Sequence, residues 1–138
     1  MRSRENYDIP IKTGDTLTSL NLTIIHGAKA SGKVQIYMQS EELGNVSLDF
    51  QLSGKRLMGM VLSDDRQGFE TLRSQKGVLS ENLTTAGLKV ANISYGMDFR
   101  TRSESLGQTG SQEESDTALL YQAAKILVRS VVVAAKTE

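Results

Sequence analysis

The stretch Asn45-Val-Ser-Leu-Asp-Phe-Gln-Leu-Ser-Gly-Lys-Arg-Leu-Met-Gly-Met-Val-Leu-Ser63 decides the fold. Val46, Leu48, Phe50 and Leu52 alternate with Ser47, Asp49, Gln51 and Ser53. Successive side chains on a strand point to opposite faces, so the apolar residues share one face and the polar ones the other. Gly54-Lys55 ends the alternation as a tight turn, and residues 56–63 (RLMGMVLS) read as the next strand. The two strands form a hairpin with one apolar face, which some other part of the chain must cover.

Upstream, residues 17–26 set Leu20, Leu22 and Ile24 against Ser19, Asn21 and Thr23. Gly27–Gly32 is a turn of glycines and small residues, and residues 33–39 place Val34, Ile36 and Met38 on one side. Ser40–Gly44 breaks the pattern. Downstream the period changes. Ser63-Asp64-Asp65 offers N-cap oxygens, and Phe69, Leu72, Leu79 and Leu83 recur at helical spacing. This predicts one helix over 65–86, ended by Gly87 in the left-handed position after the last turn. Gly77 inside it costs about 1 kcal/mol relative to Ala and is expected to let the helix lie close to the sheet. Residues 88–97 return to alternation through Leu88, Val90, Ile93 and Tyr95. The unit 56–97 is long enough for a right-handed strand–helix–strand crossover.

Residues 98–116 are rich in Ser, Gly, Gln and charge, and read as a flexible linker. Residues 117–138 read as a final amphipathic helix, capped by Ser115 or Asp116. Leu120, Ala124, Leu127, Val131 and Ala134 line its apolar arc, and Gln122, Lys125 and Arg129 mark the opposite side. An apolar arc this broad must be buried, either on the chain's own sheet or against another chain. The β-branched residues at 131–133 favour the sheet, since they weaken a free helix. Leu120, Leu127 and Val131 are therefore the contact residues of a candidate interaction helix. The expected fold is α+β: a core domain over 1–97 with a mixed sheet of four or five strands and one packed helix, then linker, then C-terminal helix.

Composition narrows the function classes. The 138 residues include no cysteine, no tryptophan and one histidine, His26. A thiol nucleophile, an iron–sulfur cluster and a cysteine zinc site are excluded. Lys+Arg 16 balances Asp+Glu 16, so the chain lacks the overall charge of a nucleic-acid binder. The polar start Met1–Asp8 is unlike a signal peptide, which leads to the expectation of a cytoplasmic protein. The most apolar run, Ala118–Ala135, carries Gln122, Lys125 and Arg129 near its middle, too costly for a membrane span.

Gly27-Ala-Lys-Ala-Ser-Gly32-Lys33 matches the phosphate-loop spacing, but Val34 stands where Ser or Thr would hold magnesium, and a strand rather than a helix follows. It reads as a hairpin loop. His26 has no carboxylate or nucleophile near it in sequence and reads as structural. Asp64-Asp65 reads as a cap and Glu41-Glu42 as loop. Met38, Met58, Met60 and Met97 read first as core filler and second as an adaptable partner surface. No catalytic group, metal or cofactor is expected.

The stretch Val34-Gln-Ile-Tyr-Met-Gln-Ser-Glu-Glu-Leu43-Gly44-Asn-Val46-Ser-Leu48-Asp-Phe50 resembles the motif L-x-L-x-P-x-x-L-G-x-V-x-V-x-L. That motif opens the C-terminal domain of bacterial flagellar hook-length control proteins, and the resemblance covers about residues 33–97. Ser40 stands at the usual Pro position. The resemblance implies a non-catalytic protein-interaction domain whose motif residues are Leu43, Gly44, Val46 and Leu48. It implies a partner, the cytoplasmic domain of the flagellar export-gate protein, and a role in switching export from hook to filament subunits. It also implies passage through the flagellar export apparatus. A cytoplasmic structural or adaptor protein, self-associating through the C-terminal helix, is the alternative.

Overall fold

The computed structural model describes residues 4–13, 16–27, 31–40, 43–97 and 117–137. Six strands form one sheet: β1 (Arg4–Thr13), β2 (Thr16–His26), β3 (Ser31–Ser40), β4 (Gly44–Ser53), β5 (Arg56–Ser63) and β6 (Lys89–Gly96). They lie in sequence order across the sheet. The first five run antiparallel to their neighbours, as short turns require, whereas β6 pairs parallel to β5. The parallel step is possible because α1 (Arg66–Ser74) and α2 (Lys76–Thr85) carry the chain back. The helix α3 (Thr117–Thr137) packs against β1, β2 and β3 and touches both other helices. The expected linker lies outside the described residues, as do the caps assigned to Ser115 and Asp116.

All three helices lie on one face of the sheet. That face carries Leu20, Leu22, Ile24, Val34, Ile36, Met38, Val46, Leu48, Phe50, Leu52, Leu57 and Val61, all buried as the alternation requires. The helices answer with Leu72, Leu79, Leu83, Leu120, Ala123, Leu127 and Val131. The α+β class is as expected, and the C-terminal helix is seated on its own sheet.

Three expectations are corrected. The sheet has six strands rather than four or five, because β1 escapes the alternation reading. Tyr7, Ile9 and Ile11 do alternate, but Pro10 sits among them. Pro lacks an N–H and argues against an inner strand, yet β1 is an edge strand, where the missing donor is tolerated. Gly14-Asp15, a turn signal, separates it from β2.

The helix expected over 65–86 is two helices that meet at Gln75, whose φ of −89° and ψ of 2° leave the helical region. Gly77 does not bring the helix close to the sheet, since a Cβ there would meet nothing within 4 Å. The close approach belongs to Gly68, where a Cβ would fall 2.2 Å from the Leu43 carbonyl oxygen.

In β6 the apolar positions change phase between Val90 and Ile93. The register shifts there: Leu57 faces Val90, but Met58 faces Asn92, so Ala91 is the extra residue of a bulge. The bulge returns Ile93 and Tyr95 to the helix-covered face.

Leu127 is fully buried where α3 meets the sheet. Leu127→Ala is expected to cost about 2–5 kcal/mol. Thermal denaturation should show the loss at unchanged mass by light scattering, because the contact lies within one chain. A lower mass at unchanged Tm would place this contact between chains instead.

Candidate functional site

The motif residues lie at a junction between two turns. Leu43 follows β3 and is fully buried. Its N–H donates to Ser40 Oγ at 3.0 Å, so the serine hydroxyl tightens the turn at the usual Pro position. Gly44 adopts φ +78°, a conformation costly for a side chain. Val46 and Leu48 then enter the core on β4.

The second turn, between β5 and α1, is fastened to the first. Ser63 is buried, and its Oγ donates to the Leu43 carbonyl at 2.8 Å. The Asp64 carboxylate accepts from Asn45 N–H at 2.9 Å and from Asn45 Nδ2 at 2.7 Å. Asp64 N–H donates back to the Asn45 carbonyl at 3.2 Å. Asp65 caps α1 by accepting from Gly68 N–H at 2.9 Å. The Asp64-Asp65 pair thus divides its work, one carboxylate holding a neighbouring strand and the other starting a helix. Glu41-Glu42 lies outside the described residues.

A second polar group assembles at the other end of the sheet. Glu5 on β1 faces Ile24 on β2, so it lies on the helix-covered face near His26. The Glu5 carboxylate lies 2.5 Å from His26 Nε2 and accepts from the hydroxyls of Tyr7 and Tyr121. The His26 and Tyr121 rings meet edge-on with centroids 5.8 Å apart. The hydrogen bond from Tyr121, then those from Tyr7 and His26, hold the Glu5 carboxyl down to about 2, against the opposing effect of burial. The same Glu5 bond pushes the Tyr121 hydroxyl up to about 12.

His26 therefore has the carboxylate it lacks in sequence. That carboxylate comes from β1, the strand hidden by Pro10, and the ring beside His26, Tyr121, comes from α3. Reading Glu5, Tyr7, Ile9 and Ile11 as one strand face would have recovered β1, but the meeting of Glu5 with His26 is set by the register of β1 on β2.

The remaining residues singled out in sequence fall into place around these two groups. Leu120, Leu127 and Val131 are buried at 1%, 0% and 1% exposure, so α3 turns Gln122, Lys125 and Arg129 outward. Gly32 and Lys33 lie within β3, and a Cβ at Gly32 would fall 2.7 Å from Leu120 Cδ2. The second glycine of the phosphate-loop spacing thus makes room for α3. Met38 is core, whereas Met58, Met60 and Met97 are exposed. Among the described residues, no three His, Cys, Asp or Glu side chains come together as a metal set. No described helix is long and apolar enough to cross a membrane. No family model matches the chain, and no curated protein or solved structure shows a significant match.

Two measurements probe these groups. Gly44→Val imposes φ +78° on a β-branched residue and sets its Cβ 2.6 Å from Asp65 Cβ. A loss of about 1–3 kcal/mol is expected in chemical denaturation. An unchanged midpoint would show that the turn accepts a side chain.

The second follows from the sign of the Glu5 shift. Its folded value lies below the ordinary 4.5, so the ionised carboxylate stabilises the fold above that value and the contribution fades as pH falls toward 2. Glu5→Gln should therefore lower Tm at neutral pH, and the gap to the unmodified protein should narrow as pH falls through about 4. A gap independent of pH would assign the loss to packing rather than charge.

Proposed function

We propose that this chain is a non-catalytic protein-interaction domain of the flagellar hook-length control type, acting in export substrate switching. The observation that carries the reading is the junction at Leu43 and Gly44. The resemblance rests on that Leu-Gly pair between two strands, and here the leucine is fully buried while the glycine holds φ +78°. Val46 and Leu48 follow on the buried face of β4, in the phase of the motif. Ser40 supplies by hydrogen bond the turn stiffness that proline supplies by its ring.

On this reading the chain works in the cytoplasm and passes through the flagellar export apparatus, and its partner is the export-gate protein's cytoplasmic domain. The alternative, self-association through α3, would require pulling Leu120, Leu127 and Val131 out of the core they share with the sheet.

Titration calorimetry of the intact chain with the purified export-gate cytoplasmic domain tests the reading. The expected outcome is saturable one-to-one binding, and deletion of the gene should give cells with overlong hooks and no filaments. No heat of binding together with normal filaments on the deletion strain would refute it.

A further inference from the structure

The face of the sheet turned away from the helices is uncovered among the described residues. Its centre is apolar on β5, where Met58 and Met60 are 42% and 45% exposed and Leu62 stands in the same row. Tyr37, 44% exposed, lies across β4 from Leu62: Tyr37 faces Ser47, and Ser47 faces Leu62. The intervening Ser47 is small, so tyrosine and methionines flank one shallow apolar strip. Methionine side chains adapt to a partner's shape, and tyrosine and methionine are enriched at protein interfaces.

One end of this strip is strongly basic. Arg56 faces Lys89 directly across the β5–β6 ladder. Lys55 adjoins them, its carbonyl accepting from Lys89 N–H at 2.6 Å. Lys33 lies on the same face, opposite Gln51, which in turn faces Met58. Like charges directly opposite each other on a sheet are destabilising. Nothing described offsets them, since the ion pair among the described residues is Glu5 with His26, on the other face. Carboxylates on the open face lie elsewhere: Asp8 accepts from Asn21 Nδ2 at 2.9 Å, Asp64 is held by Asn45, and Asp49 faces Met60.

We propose that this face binds an acidic segment of a partner protein. Met58, Met60 and Tyr37 take its apolar side chains, and Lys33, Lys55, Arg56 and Lys89 take its carboxylates. The charge complementarity favours protein over nucleic acid. Asp49 beside the apolar strip would repel a continuous phosphate backbone but permits spaced carboxylates, and the chain carries no net positive charge. The inference rests on the interaction-domain reading and adds the location of the surface and the chemistry of its partner.

The test is a nuclear magnetic resonance titration of the intact chain with a short peptide of alternating Glu and Leu. Shifts are expected at Tyr37, Met58, Met60 and Lys89, with affinity falling by roughly tenfold in Arg56→Glu/Lys89→Glu and with added salt. Met58→Ser/Met60→Ser should weaken binding without lowering Tm, because both side chains lie outside the core. No shifts, or shifts confined to the helices, would overturn the proposal. So would tighter binding of oligothymidylate at the same residues.

The export-gate cytoplasmic domain is titrated in parallel. If the peptide binds this face and the domain does not, the flagellar reading falls while the surface stands. If the domain binds but shifts only residues elsewhere, the surface falls while the flagellar reading stands.

Discussion

The fold depends on covering one apolar face of a six-stranded sheet. Strands lie about 4.8 Å apart, so six of them span about 24 Å between outer axes. A helix with its side chains is about 10 Å wide and shields about two strands. The crossover that makes β6 parallel supplies α1 and α2, which pack against β5 and β6. Leu20, Leu22, Ile24, Val34 and Ile36 lie beyond that reach, on β2 and β3. The helix α3 covers them from the far end of the chain, so the end of the sequence completes a core that its beginning opens.

That arrangement places demands on the two sides of the sheet. At one end Leu43, Gly44, Ser63, Asp64 and Gly68 bolt the β3–β4 turn to the start of α1, which fixes where the crossover begins. The contact between Gly68 and the Leu43 backbone leaves no room for a methyl group. At the other end Glu5 gathers hydroxyls from β1 and α3 and the imidazole from β2. It ties the first strand to the last helix across 116 positions of sequence. Both groups are polar, and both are built from backbone-directed or charge-assisted bonds, which specify geometry more sharply than apolar contact does.

Among the described residues, the helices gather on one face of the sheet and none of them covers the other. Its polar rows are what a half-solvated antiparallel sheet usually carries. The methionines of β5 and the opposed Arg56 and Lys89 are not what solvation alone would select, since exposed methionine adds nothing to solubility and opposed cations repel. The binding role proposed for this face would account for both, and the face lies apart from the junction that builds the fold.

Strands β2, β3 and β4 were legible because their core positions alternate with polar ones, and β5 was legible from the tight turn at Gly54-Lys55 that pairs it with β4. Gly44, Gly54 and Gly87 were legible as turns, and each has positive φ. The amphipathic final helix was legible too, as was its leaning toward a sheet. Tertiary structure alone decided the rest, because the deciding contacts are distant in sequence. Pro10 hid β1, since whether a strand lies at an edge depends on where its neighbours go. The phase change at Val90 became a bulge only when β5 supplied a register. Gly68 rather than Gly77 proved to be the close contact, because closeness depends on which backbone lies opposite. His26 acquired its carboxylate from Glu5 and its aromatic neighbour from Tyr121, a group assembled by the sheet and by α3, which no local pattern encodes.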